Sequence, residues 1–95
     1  MTKEISGRWF EWDEEKNIIN IEKHKISFET AALVFNDLDR QEFFDELHSD
    51  EEDRYITIGK VGKVLFVVHT DRADATRIIS ARLATAKERR LYYGN

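Results

Sequence analysis

The sequence contains no cysteine, no proline and only four glycines. Without cysteine, disulfides and thiolate metal ligands are excluded, a usage that fits a cytoplasmic protein. Without proline, no helix or strand is broken by a missing backbone N–H, although that names no fold. Long hydrophobic runs are absent too: the longest, Val64–Val68, is far too short to cross a bilayer, and no membrane association is expected. Residues 1–8 are polar and carry no signal-peptide pattern; they are expected to form a weakly held tail. The three histidines, His24, His48 and His69, include no close pair that would set metal ligands on one element. No glycine-rich phosphate loop and no recognisable serine nucleophile is present. No metal and no cofactor are therefore expected.

What remains is a charge-rich chain of 95 residues, 41% hydrophobic and 36% charged, the size of one domain with a modest core. Its net charge of −4 hides an asymmetry. Residues 1–53 hold 6 Lys/Arg against 16 Asp/Glu, a net of −10; residues 54–95 hold 9 against 3, a net of +6. Patches rather than totals attract phosphate, so the basic half is a candidate surface for nucleic acid. The plainer alternative is that acidic helices neutralise a basic sheet and keep the fold soluble.

The chain is organised around Arg54 to Arg82, in which three β-rich runs, Tyr55–Ile58, Val64–Val68 and Thr76–Ser80, are separated by short polar connections. They predict an antiparallel meander. Gly59 and Gly62 bracket its first connection, where a positive φ is expected. With Lys60-Val61-Gly62 as the turn, Ile58 faces Val64 and Ile56 faces Phe66. With Arg72-Ala73-Asp74 as the next, His69 faces Arg77. One face then carries Ile56, Ile58, Val64, Phe66, Val68 and Ile78, the expected core face. The other carries Tyr55, Thr57, Leu65, Val67, His69, Arg77, Ile79 and Ala81, and reads as amphipathic. A slip of one residue would exchange the two faces.

Before the meander, Trp9–Trp12 is read as a short edge strand or an aromatic lead-in. Asp13 caps a first helix, with Glu14 and Glu15 in its opening turn and Ile18, Ile21 and Ile19 on its buried side. It should end near His24-Lys25. Ser27 caps a second helix whose Phe28, Ala31, Ala32 and Phe35 form an apolar stripe. Gln41–Asp45 suggests another strand beside the meander, and Asp45–Asp53 an acidic, solvated loop. Thr85 and Glu88 match a capping box that opens a terminal helix.

His69 and Arg77 have the chemistry for RNA cleavage without a metal: an imidazole titrates near neutral pH, and a guanidinium fork matches phosphate oxygens. The structural alternative has His69 ending a strand and Arg77 paired with Asp71 or Asp74. Arg54 and Arg82, at the ends of the first and third strands, either reach a phosphate or pair with carboxylates of the acidic half.

Several stretches taken together carry a resemblance: Trp12-Asp13, Lys16, Asn20, Lys23-His24, Phe28 with Ala31 and Phe35, His48-Ser49, Arg54, Arg77-Ile78-Ile79-Ser80-Ala81-Arg82 and Glu88-Arg89-Arg90. In this order, from Phe10 to about Tyr92, the chain resembles the BrnT family of toxins from bacterial type II toxin–antitoxin systems. One departure is Lys25, where the family usually has a glycine that closes the first helix. The resemblance implies an α+β, RelE-like fold with two N-terminal helices on an antiparallel meander and a C-terminal helix. It also implies a cytoplasmic ribonuclease that inhibits translation, and a BrnA-type ribbon-helix-helix antitoxin as partner. The toxin would assemble with that antitoxin and meet operator DNA only through it. On this reading Arg77 and Arg82 hold the phosphate and its transition-state charge, and His69 performs acid–base work. Arg54 supports the phosphate, and Glu52 is a base or orients an arginine. Tyr55, Lys63, Arg89 and Arg90 are further RNA contacts. The rival is a non-catalytic interaction subunit whose Leu65, Val67, Ile79 and Ala81 hold a partner's helix. A direct DNA-binding regulator is the third possibility, with no recognition-helix pattern behind it.

Overall fold

The structure, a computed structural model, describes residues 1–94. Its first eight residues are not a tail. β1 (Thr2–Ile5) and β2 (Arg8–Glu11) form an antiparallel hairpin across Ser6-Gly7, both with positive φ (53° and 81°). Two positive φ values give the twist that suits a two-residue hairpin, and Ser-Gly is a sequence that tolerates them. Ile5 packs against the core, which is what holds the strand.

Asp13 caps α1 (Glu14–His24), its Oδ1 accepting from the N–H of Glu15 at 2.9 Å and of Lys16 at 3.2 Å. The expected buried side of this helix is wrong. Ile18, Ile19 and Ile21 are 51%, 58% and 40% exposed, and the residues turned inward are Asn17 and Asn20. The reason lies in β6 (Ala75–Leu83). β2 runs parallel to β6 but pairs only with Thr76 and Arg77, so the β6 edge beyond them has no strand beside it. Asn20 fills that place: its Oδ1 accepts from Ala81 N–H (3.2 Å), and its Nδ2 donates to Ala81 C=O (2.9 Å) and to Ile26 C=O (2.8 Å). Asn17 Oδ1 accepts from Phe28 N–H at 2.8 Å. The helix is fastened by amides that satisfy buried backbone groups rather than by an apolar stripe. Lys25 closes α1 in the left-handed conformation (φ 62°, ψ 26°), so the turn keeps a glycine-like geometry without the glycine.

Ser27 caps α2 (Phe28–Ala32), which tightens into a 3-10 turn at Leu33–Asn36. Phe28, Ala31, Ala32 and Phe35 are all buried, as their spacing predicts. Val34 lies against Gly59, where a Cβ would sit 2.9 Å from the Val34 Cβ. Gly59 is thus required for close approach, whereas the positive φ of the turn belongs to Gly62 (73°).

β3 (Gln41–Phe44), β4 (Tyr55–Val61) and β5 (Lys63–Arg72) complete a six-stranded mixed sheet of order β1-β2-β6-β5-β4-β3. The meander β4-β5-β6 is antiparallel, but Ile58 faces Phe66 and Ile56 faces Val68, two residues from the expected register. Between β4 and β5 a shift of two keeps each side chain on its expected face, whereas the bulge opposite β6 moves Ile78 to the other face, into the main core. The roles of the faces are nevertheless exchanged. Leu65, Val67 and Ala81 join Phe10, Trp12, Phe28 and Val34 in the main core beneath α1 and α2. The expected core face, with Ile58, Val64, Ile56 and Phe66, forms a smaller cluster beneath α3 (Ala86–Tyr93). Both faces alternate apolar residues, so the pattern alone did not choose between them.

A bulge at Val68/His69 places His69 opposite Ile78 and Arg77 opposite Thr70, so the expected His69–Arg77 pair does not form. α3 carries the predicted capping box of Thr85 and Glu88. Its Tyr92 hydroxyl donates to Asp37 Oδ2 at 2.5 Å, a bond that pushes the phenol up to about 12. Among the described residues no helix is long and apolar enough to cross a membrane.

Candidate active site

The acidic segment between β3 and β4 is a stapled loop. Asp45 N–H donates to Arg54 C=O (2.8 Å). Ser49 Oγ donates to Asp45 C=O (2.6 Å) and accepts from Arg54 N–H (2.9 Å). Thr70 Oγ1 ties Asp53 C=O to β5 at 2.6 Å. A 3-10 turn at Glu46–His48 then brings His48 back over Asp45, its Nδ1 lying 3.0 and 3.2 Å from the two carboxylate oxygens. A carboxylate there accepts from Nδ1–H and leaves Nε2 as the basic nitrogen. The His48 side chain is 64% exposed and Asp45 only 12%, so the pair has a fixed orienting end and a free working end.

His48 borders an open cleft of about 530 Å³ with Asp50, Glu51, Glu52, Arg54 and Arg72. Arg54 Nε is buried and meets no acceptor among the described residues. Arg72 lies 3.4 Å from Glu52 and 3.7 Å from Glu11, and Arg77 lies 3.7 Å from the same Glu11. These pairs are long, those of Arg72 partly solvent-exposed and that of Arg77 half-buried, so their guanidiniums are available to a stronger anion such as phosphate. The cleft unites an oriented imidazole with two arginines, and Glu11 links it to a third. Among the described residues no three His, Asp or Glu side chains converge as a metal site.

The sequence-predicted residues divide around this cleft. Arg54 and Glu52 line it, and Arg77 adjoins it through Glu11. His69 does not: it is 2% exposed and points into the main core. Its Nε2 is 2.8 Å from Thr57 Oγ1, and its ring lies between Phe35 (5.0 Å) and Tyr55 (6.0 Å). Burial pushes its pKa below the ordinary 6.5, against the opposing pull of Asp71 with Oδ1 3.8 Å from Nδ1. A neutral imidazole sealed in this way cannot reach a substrate. Arg82 is held by two bonds to Glu88 (2.7 and 2.9 Å), and its guanidinium lies 3.9 Å from the Phe66 ring centroid. The bond to Glu88 raises the Arg82 pKa and lowers that of Glu88. Tyr55, at the start of β4, packs between Phe44 and His69. Lys63 and Arg89 border a separate cleft at the β4–β5 turn, and Arg90 is exposed on α3.

Sequence reasoning missed His48, Asp45 and Arg72. The signal was present: an Asp three residues before a His within a loop that ends in Arg. It was obscured by the run of acidic residues around it.

Residues 12–88 match a family described as the ribonuclease toxin BrnT of type II toxin–antitoxin systems. Among solved structures, the chain is similar to the 1.1 Å crystal structure of the Brucella abortus ribonuclease toxin BrnT, with 31% identity and a TM-score of 0.63. That match covers 78% of this chain and 92% of the other. No curated protein matches significantly. An α+β fold with three helices on a six-stranded mixed sheet, an open cleft that sets arginines and carboxylates around an oriented imidazole, and a match over most of the chain lead to one assignment: the protein belongs to the BrnT family of ribonuclease toxins.

Proposed function

We propose that the chain is an endoribonuclease that cuts single-stranded RNA without a metal ion, with His48 as its general base. The observation that carries this reading is the His48–Asp45 pair beside Arg54 and Arg72. Nε2 takes the proton of a ribose 2′-OH, and the 2′-oxygen forms a bond to the adjacent phosphorus. The bond from phosphorus to the 5′-oxygen breaks, and that oxygen receives a proton from His48 or from water. The products are a 2′,3′-cyclic phosphate and a 5′-hydroxyl. Arg54, Arg72 and Arg77 donate to the non-bridging oxygens as negative charge builds on them. Glu52 holds Arg72 until substrate arrives. The acid–base role expected of His69 passes to His48, and His69 becomes a core residue that positions β4 and β5. Arg82 anchors α3, while Lys63, Arg89 and Arg90 serve as outlying phosphate contacts.

The same reading takes the fold as RelE-like and the biological effect as inhibition of translation in the cytoplasm. It pairs the chain with a BrnA-type ribbon-helix-helix antitoxin, through which it meets operator DNA. The test is cleavage of RNA by the purified chain with and without chelator, with the product ends identified. His48→Ala is expected to lower kcat by about 100-fold or more, with unchanged thermal stability. Full activity in that variant, or activity lost to chelator, would overturn the assignment. A chain that cuts no RNA yet binds its antitoxin would support the interaction-subunit alternative.

A further inference from the structure

The second face of the sheet is covered at one end by the stapled loop and at the other by α3. Between them Ile56, Val68 and Ser80 are only half-buried. Where this strip meets α3 it deepens into a groove of about 290 Å³ walled by Phe43, Ile56, Ile58, Phe66 and Leu91. Phe43 is 39% exposed and Leu91 50%, on a face where nothing else in the chain covers them among the described residues.

We propose that this groove is a nucleobase subsite, taking the base of a nucleotide next to the one that is cut in single-stranded RNA. The inference rests on the ribonuclease reading above. Three observations carry it. Arg54 directly precedes β4 and Ile56 is the second residue of that strand, with roughly 7 Å between them along the extended chain. A strand held by its phosphate at Arg54 therefore reaches the groove with its neighbouring nucleotide. The walls offer two phenyl rings, and Phe66 is kept in place by the Arg82 guanidinium over it. Bases stack on such rings whatever their sequence. The rim is cationic: Lys87 borders the groove, and its carboxylate, Glu88, is already neutralised by two bonds from Arg82. A polyanion thus meets the free Lys87 ammonium on one side of the apolar slot and the Arg54 guanidinium, set among carboxylates, on the other.

The probe is a 2′-O-methyl RNA oligonucleotide, which cannot be cut, carrying 2-aminopurine. Binding to the wild-type chain should quench its fluorescence. Phe43→Ala should abolish the quench and raise KM for cleavable RNA roughly tenfold, with kcat changed less than twofold. Phe43→Trp should restore both. Phe43 sits on an exposed edge strand, and circular dichroism checks that each variant is folded. Unchanged quench and KM in Phe43→Ala would sink the subsite while leaving the nuclease reading intact. So would unchanged RNA parameters together with lost antitoxin binding, which would make the groove a protein-docking site. If the wild-type chain cuts no RNA, the nuclease reading fails, and the quench experiment still decides the groove by itself.

Discussion

The two faces of the sheet are built from the same alternation of apolar residues and end in opposite states. One is sealed under α1 and α2, with Phe28, Val34, Val67 and Ala81 at no measurable exposure. The other is covered only at its ends and keeps half-buried Ile56, Val68 and Phe66. Two histidines show the contrast in miniature. His69 faces the sealed side, neutral and bonded to Thr57; His48 stands beside the open side, oriented by Asp45 and free at Nε2. Residue type fixes what an imidazole is able to do, and the face on which it lies decides whether it does it.

Truncations should measure the contrast most strongly. Phe28→Ala on the sealed face is expected to cost about 3–5 kcal/mol, and Val68→Ala on the open face about 1 kcal/mol or less. Urea denaturation of both variants checks this, and equal losses would mean that the open face is also packed. Next in size is Asn20→Ala. It strips partners from Ala81 N–H, Ala81 C=O and Ile26 C=O, for an expected loss of about 2–4 kcal/mol. Asn20→Leu should not recover it, because the backbone groups stay unpaired; a stable Leu variant would show that α1 is held by packing after all.

A smaller effect distinguishes the histidines by pH. Burial lowers the folded pKa of His69 below 6.5, so as pH falls through 6.5 the unfolded chain takes up the proton first. Stability is therefore full above 6.5 and declines as pH falls toward the folded pKa. Denaturation midpoints between pH 8 and 5 should show this slope in the wild type, flattened in His69→Gln. The smallest expected change is at the edge of the sealed face. Lys25→Gly relieves a left-handed lysine but adds chain entropy, for a net gain of no more than about 1 kcal/mol in thermal unfolding.

Much of this architecture could be read from the residues. Caps at Asp13, Ser27 and Thr85, the stripe of α2, the meander and the Gln41 strand are local signals, and each is present in the structure. Two of the failures share a physical cause, dependence on a neighbour distant in sequence, and the third was a local pair hidden by its surroundings. Ile18 and Ile21 have helical spacing, but the bare edge of β6 demanded the amides of Asn17 and Asn20. His69 and Arg77 were aligned by counting, and one bulge separated them. His48 was passed over because the carboxylate that orients it lies in a run of acidic residues that looked like solvated loop.

α3 buries none of its residues fully and is joined to the sheet mainly by the Arg82–Glu88 clamp, the Tyr92–Asp37 bond and a small apolar cluster. Both polar attachments rest on carboxylates, Glu88 and Asp37, so acid strong enough to protonate them is expected to loosen α3. When it swings away, Ile58, Val64 and Phe66 meet water on a sheet that is still fully formed. An apolar strip bared in this way favours self-association, so acid-treated protein is expected to aggregate through this face while its main core is still folded.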